Sequence, residues 1–291
     1  MNQRRNFLRQ AGLLSALSFV RPGLLLAKPV PLNVGLQLYT LREYIGKDVP
    51  GVLSKVAQAG YTDVETYGYS SQTHFWGLTP KAFKAALVAH GLTTSSGHYE
   101  MNGFLGEGNS DALKTYLEAA TVCGQTYLVV PHLDERLRKT PDDFKAIAEN
   151  MNKAGEMCKA AGLRLAYHNH DFEFKVVQGT TLYDVLLRET QPDLVDFELD
   201  LYWVVRGDLN PIKLIDAHPK RFTMWHVKDM DRTRPEHNTE IGAGSINFKQ
   251  IFERAQASGL KHLFVEQEYF AMDAFQSIAQ SAAYIRKKLL I

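Results

Sequence analysis

Four pairs of residues able to do chemistry recur at a spacing of two near the ends of apolar runs: His168 and His170, Glu198 and Asp200, His226 and Lys228, Glu266 and Glu268. Successive side chains of a strand alternate between faces, so the members of each pair share a face. Four strands ending in this way would aim imidazoles, carboxylates and a lysine into one pocket. The gathered carboxylates would repel one another and lose hydration unless a cation or bound protons compensated. A divalent metal ion answers both costs. One residue per strand gives His168, Asp200, His226 and Glu266, two nitrogen and two carboxylate donors. That mixed set suits Mn, Co or Zn better than Ca or Mg, which prefer all-oxygen shells, and one such ion is expected.

An ion that chelates adjacent hydroxyl and carbonyl oxygens of a sugar polarises the carbonyl and acidifies the neighbouring C–H, from which a base can form an enediolate. Proton return to the other carbon makes an isomerase and return to the other face an epimerase; loss of a β-substituent makes a lyase or dehydratase. Lys228, Glu266, Glu198 and His170 are the acid and base candidates, and a nearby metal is expected to lower the Lys228 pKa. Glu198 and His170 serve equally well as hydrogen-bond partners that orient ligands. Gln37, Tyr39, Glu65, His98 and His132 fall at or just beyond the ends of earlier apolar runs and are expected to line a polyol pocket. Trp76, Tyr202 and Trp203 offer apolar faces for a sugar ring. Arg232 and Arg234 are expected to be solvated, since no phosphate-cradling glycine turn accompanies them. His74, His90, His218, His237 and His262 have no supporting partners in the sequence.

The elements that must position these groups repeat one theme: an apolar strand, a polar loop and a helix. The sequence predicts strands over residues 34–39, 63–67, 93–98, 127–131, 163–170, 195–200, 222–228 and 262–266. Helices are expected near 48–59, 80–90, 111–123, 142–161, 181–189, 211–217, 247–257 and 272–288. Gly60, Gly91, Gly124, Gly162 and Gly259 sit where glycine ends a helix. Thr79-Pro80, Thr140-Pro141 and Asn210-Pro211 place a capping side chain before a first-turn proline. Eight βα units of about thirty residues each predict a single α/β domain, a parallel (β/α)8 barrel, rather than a doubly wound sheet. The residues after the first strand, Leu36 to Arg42, also lack the glycine-rich turn of a doubly wound fold. The longest loops, 68–78, 99–109 and 229–245, would all lie at the barrel's C-terminal face, where this fold builds its sites.

With 45% hydrophobic and 22% charged residues among 291, the composition is that of an ordinary globular chain. Residues 1–20 join a basic start, RRNFLR from Arg4, to an apolar run too short for a membrane span, a pattern close to a twin-arginine export signal. Cleavage after Ala27 would divide the chain into a signal, 1–27, and a barrel, 28–291. It would also remove Arg4, Arg5, Arg9 and Arg21, taking the formal charge from +1 to −3. Such a chain has no electrostatic attraction for a nucleic-acid backbone. Cys123 and Cys158 read as small core residues, with no metal-type spacing.

Taken together, GLQLYTLR from Gly35, VETYG, YHNHDFEF, ELDLYW, HVKD, GAGSINF and FVEQE resemble the xylose isomerase-like TIM-barrel superfamily, the sugar phosphate isomerases/epimerases. The resemblance covers nearly the whole of residues 28–291. It implies one metal ion in the barrel mouth, held at the ends of strands five to eight, where His168, Asp200, His226 and Glu266 match. Two departures accompany it. Ketose 3-epimerases of the superfamily carry on strand five a glutamate that binds metal and moves a proton, and His168 stands there instead; they also have a histidine three residues after the strand-six aspartate, where this chain has Trp203. The expected function is a divalent-metal-dependent sugar isomerase or epimerase. The alternatives are a metal-dependent lyase or hydratase on 3-keto-glycosides and a non-catalytic periplasmic sugar-binding protein. Apurinic-site endonucleases share the barrel, but they need a basic groove and a three-metal cluster. The expected partner is a small carbohydrate in the periplasm, with no nucleic acid and no membrane after export; self-association into a homo-oligomer is left open.

Overall fold

The computed structural model describes residues 32–290; the expected export signal and its cleavage point lie outside them. Strands β1 (Val34–Gln37), β2 (Asp63–Thr66), β3 (Thr93–His98), β4 (Tyr127–Val130), β5 (Arg164–His168), β6 (Val195–Asp200), β7 (Met224–Val227) and β8 (His262–Val265) are all parallel and close into one barrel. Gly35 of β1 lies beside Phe264 of β8 on one side and Asp63 of β2 on the other, which completes the ring. Barrel helices follow the strands: α1 (Val49–Gln58), α2 (Pro80–Ala89), α3 (Asp111–Cys123), α4 (Pro141–Ala160), α5 (Leu182–Glu189), α6 (Pro211–Ala217), α7 (Phe248–Phe252, resuming at Ala255–Ser258) and α8 (Ala274–Lys288). The expected (β/α)8 barrel is therefore borne out.

The local signals act as their chemistry requires. Thr79 Oγ1 accepts from Ala82 N at the start of α2, and Thr140 and Asp143 form a reciprocal capping box at the start of α4. Gly124 and Gly259 close their helices at φ of 85° and 82°, where a side chain would be strained.

Inside the barrel, Tyr127, Val129, Ala166, Met224 and Phe264 form a separate apolar cluster. Gly35 makes room for it, since a Cβ there would overlap the Phe264 ring. Two residues beyond Ala166, Met224 and Phe264 on the same face come His168, His226 and Glu266. An apolar plug thus fills the lower barrel and a polar crown sits on it.

Several elements end differently from the sequence expectation. β1 stops at Gln37 because its Oε1 accepts from Tyr39 N at 2.9 Å, turning the chain into a 3-10 helix over Leu38–Leu41. β5 stops at His168, where Glu173 takes the His170 N–H at 2.9 Å and starts another 3-10 turn. A short helix at Leu201–Arg206, absent from the sequence expectation, begins on the last residue of β6. The long loop after β7 contains a two-stranded ribbon, Asp229–Met230 with Asn238–Thr239. Cys123 and Cys158 are free and buried, as small core residues.

Candidate metal centre

His168, Asp200, His226 and Glu266 come from β5, β6, β7 and the residue after β8. One ligand atom from each lies within 4.8 Å of the others, and all four residues are buried. His168 Nε2 is 3.3 Å from Asp200 Oδ2, and His226 Nδ1 is 3.0 Å from Glu266 Oε2 and 3.8 Å from Asp200 Oδ2.

Each of these side chains is oriented by something outside the set. His168 Nδ1 faces the Pro131 carbonyl at 3.2 Å, so a proton there leaves the Nε2 lone pair toward the cluster. His226 Nε2 lies 2.6 Å from Glu65 Oε2, which reserves Nδ1. Asp200 caps the short helix through Oδ1, accepting from Tyr202 N and Trp203 N at 2.9 and 3.0 Å, and keeps Oδ2 for the cluster. This is how metal ligands are normally held, and the two-nitrogen, two-carboxylate set fits a borderline divalent ion.

Burial, with the neighbouring His226 charge second, pushes His168 down to about 4, so it is neutral at physiological pH. Burial alone would raise Glu266, but Lys228 and His226 outweigh it and hold the carboxyl well below the usual range. Lys228 is buried against three carboxylates, with Nζ 2.7 Å from Glu268 Oε1, 3.1 Å from Glu266 Oε2 and 3.7 Å from Asp200 Oδ2. The lowering of its pKa expected from a nearby metal ion is a separate effect and would act against these carboxylates. Burial does lower it, yet Glu266, Asp200 and Glu268 together raise it above its ordinary value. The protein's own groups favour the charged form of Lys228.

A second layer lies directly beneath. His98 Nε2 is 2.9 Å from Glu198 Oε2 and 3.2 Å from Glu65 Oε2, and His226 Nε2 is 3.3 Å from Glu198 Oε2. Glu198 is fully buried, with Oε2 facing the His98 and His226 imidazoles, the place of a group that orients ligands. Gln37 and Glu65, expected to face a polyol, are also fully buried. Gln37 Nε2 donates to Glu65 Oε2 at 2.6 Å, and Ser96 Oγ donates to Glu65 Oε1 at 2.5 Å.

Other expected residues do reach the mouth. Tyr39 is half exposed and stacks edge-on with Tyr67, which stacks on Trp76. His132 is exposed, with its ring edge-on to His170. The rings of His170 and Trp203 lie 5.3 Å apart beside the cluster, and His170 Nδ1 and Trp203 Nε1 are buried without a protein partner. Two unpaired polar atoms at the edge of a ligand set are places where substrate oxygens would be bound. Tyr202 instead spends its hydroxyl on the Pro235 carbonyl at 3.0 Å and so anchors the loop after β7. Arg232 holds the Ala243 carbonyl of that loop at 3.1 Å, and Arg234 is exposed.

Two contributors escaped the sequence reading. Glu268 was visible only as the partner of Glu266, but it makes the shortest contact to Lys228. Asp229, next to Lys228, gathers the backbone N–H groups of Met230, Gly242, Gly244 and Ile246 at 2.8, 2.8, 3.0 and 3.1 Å. The glycines of the GAGSINF stretch hinted at such a carboxylate nest.

Residues 53–288 match the sequence profile of the xylose isomerase-like TIM barrel. The chain is 24% identical to the inosose dehydratase of Geobacillus thermodenitrificans over 81% of this chain and 88% of that one, and 23% identical to that of Lactiplantibacillus plantarum over 84% and 91%. Among solved structures it superposes on a sugar phosphate isomerase/epimerase from Parabacteroides distasonis with TM-score 0.78 and 31% identity, covering 91% of this chain and 97% of that one. An L-ribulose 3-epimerase shares the fold at TM-score 0.69 and 13% identity, covering 89% and 94%.

Proposed function

The chain belongs to the xylose isomerase-like TIM barrel family, and on that premise we propose that it is a divalent-metal-dependent enzyme that removes a proton next to the carbonyl of a small keto-carbohydrate and expels a β-hydroxyl or β-alkoxyl group. His168, Asp200, His226 and Glu266 would hold the ion. A divalent ion there supplies Lewis acidity that polarises the carbonyl and acidifies the adjacent C–H.

The observation that carries this reading is the 3.1 Å contact between Lys228 Nζ and Glu266 Oε2 within the ligand set. It puts a charged acid against a charged base. Glu266 Oε2 takes the C–H proton, the carbon–oxygen bond to the leaving group breaks, and Lys228 Nζ protonates the departing oxygen. Glu266 then returns its proton to Lys228 across their contact, and both groups regain their starting states. His170 Nδ1 and Trp203 Nε1 bind and orient the substrate hydroxyls, and the closed floor of buried side chains keeps bulk water from the carbanion.

Elimination is favoured over epimerisation because strand five offers His168, with one nitrogen toward Pro131 O and the other toward Asp200, in place of a carboxylate that could return the proton from the opposite face. The likeness to inosose dehydratases points the same way. Isomerisation or epimerisation is the second reading, favoured by the 31% identity to a sugar phosphate isomerase/epimerase. Incubating keto-inositols, ketoses and 3-keto-glycosides with the metal-loaded protein in deuterated water separates the two. Appearance of an enone with release of water or aglycone supports elimination. Deuterated ketose recovered with no β-substituent lost overturns it in favour of the second reading.

The proposal extends to location: RRNFLR and the short apolar run after it fit export through the twin-arginine route, which carries folded proteins and would allow the ion to be loaded before export. A periplasmic fraction lacking the mature chain would sink that part alone.

A further inference from the structure

We propose that a second divalent cation binds beneath the first, among Glu65, His98, Glu198 and the Nε2 face of His226, so that the His226 imidazole bridges two metal ions. The proposal shares only His226 with the site described above and does not depend on which reaction that site performs.

The geometry is that of a four-donor shell. Glu65 Oε2, His98 Nε2, Glu198 Oε2 and His226 Nε2 arrive from β2, β3, β6 and β7 and lie within 4.8 Å of one another. Their nitrogen–oxygen separations are 2.6, 2.9, 3.2 and 3.3 Å. Tetrahedral zinc with bonds of about 2.1 Å separates its donors by about 3.4 Å. Two of these four separations are already close to that value, and the Glu65–His226 and His98–Glu198 contacts, at 2.6 and 2.9 Å, would have to open.

The donors are also oriented as ligands are. Glu65 is held through both oxygens by Gln37 and Ser96, and the Gln37 amide is itself fixed by Tyr39 N at its Oε1. Such outer hydrogen bonds are the usual supports of a coordinating carboxylate. A separate observation points to a missing partner: Glu198 Oε1 is buried and has no hydrogen bond in the protein, while Oε2 of the same carboxylate faces both imidazoles. A bare carboxylate oxygen in a closed interior is costly, and a cation bound at Oε2 would offset the charge of the carboxylate as a whole.

Charge supplies the last step. With an ion on each nitrogen the His226 ring would carry no N–H proton and would bridge as an imidazolate. Glu65 and Glu198 are fully buried beside it, with His98 11% exposed at the edge. A dication among them offsets the two buried carboxylate charges. The rival arrangement is a hydrogen-bonded network that only fixes the His226 tautomer.

The test is metal content of the full-length protein loaded with zinc and freed of excess, comparing wild type with His98→Leu and Asp200→Asn, each checked for a cooperative thermal transition. The proposal expects about two equivalents in wild type and about one in each variant. A single wild-type equivalent that is retained in His98→Leu and lost in Asp200→Asn overturns the lower site and leaves the upper one standing. The reverse pattern supports the lower site and overturns the upper. No bound zinc in wild type overturns both. Anomalous diffraction from zinc-loaded wild-type crystals gives a reading free of any folding defect: two peaks flanking the His226 ring support the proposal, and one peak on the Nδ1 side alone overturns it.

Discussion

Lys228 shows how far an environment can turn a residue's chemistry around. A metal ion lowers a neighbouring lysine's pKa, whereas three carboxylates raise that of Lys228, and in the proposed reaction it is the donor to the leaving group. Lys228→Met is expected to lower kcat by about 10²- to 10⁴-fold, the usual worth of a general acid, while bound metal is unchanged by elemental analysis. Loss of metal together with activity would assign Lys228 to holding the ligands instead. Glu173 carries a stability consequence. Burial raises its carboxyl from 4.5 to about 8, against hydrogen bonds from Tyr167 and the His170 N–H that favour ionisation. Below pH 4.5 the group is protonated in both folded and unfolded chains. As pH rises toward 8 only the unfolded chain ionises readily, so stability falls across that window, by up to roughly 5 kcal/mol. Glu173→Gln is expected to remove most of this slope, and urea unfolding of both proteins at pH 5.5 and 8.5 measures it. Equal losses in the two proteins would refute the assignment.

At the scale of elements, the site depends on where strands stop. β6 ends on Asp200 because that residue begins the next helix, so one carboxylate caps through Oδ1 and faces the His168, His226 and Glu266 cluster through Oδ2. The loop after β7 is long and glycine-rich, but Asp229 gathers four of its N–H groups and Tyr202 pins it at Pro235. Asp229→Ala would leave those donors without their acceptor, two of them, on Met230 and Gly244, at buried residues. It is expected to cost about 3 kcal/mol by chemical denaturation and to raise KM more than it lowers kcat, since the loop borders the mouth without supplying a reacting group. Unchanged stability would mean that the loop keeps its shape by other contacts.

For the whole molecule, ion binding and stability should be linked. A barrel mouth packed with buried carboxylates is less stable without its cation, and a ligand present at a hundred times its Kd adds about 2.7 kcal/mol. Chelation is therefore expected to lower Tm by roughly 5–10 °C for a domain of this size. Mn, Co or Zn should restore it and Mg should not; a Tm indifferent to chelator would remove the main support for a metal centre. Much of this architecture was legible in the chain. Apolar runs, glycine stops and Thr-Pro or Asn-Pro starts are local signals whose physics acts within a few residues, so they fixed eight βα units and hence a barrel. The spacing of two placed His168, Asp200, His226 and Glu266 on inward faces at strand ends, because alternation is a property of the strand itself. What the sequence could not order was depth and partnership. That Gln37, Glu65 and Glu198 lie beneath the ligands while Tyr39 and His132 rise above them, that Lys228 meets three carboxylates, and that His226 faces one cluster with each nitrogen are matters of barrel register and of strand ends set by Gln37, Glu173 and Asp200. Those positions join residues 28 to 161 apart in the chain, and only closure of the barrel brings them within hydrogen-bonding distance.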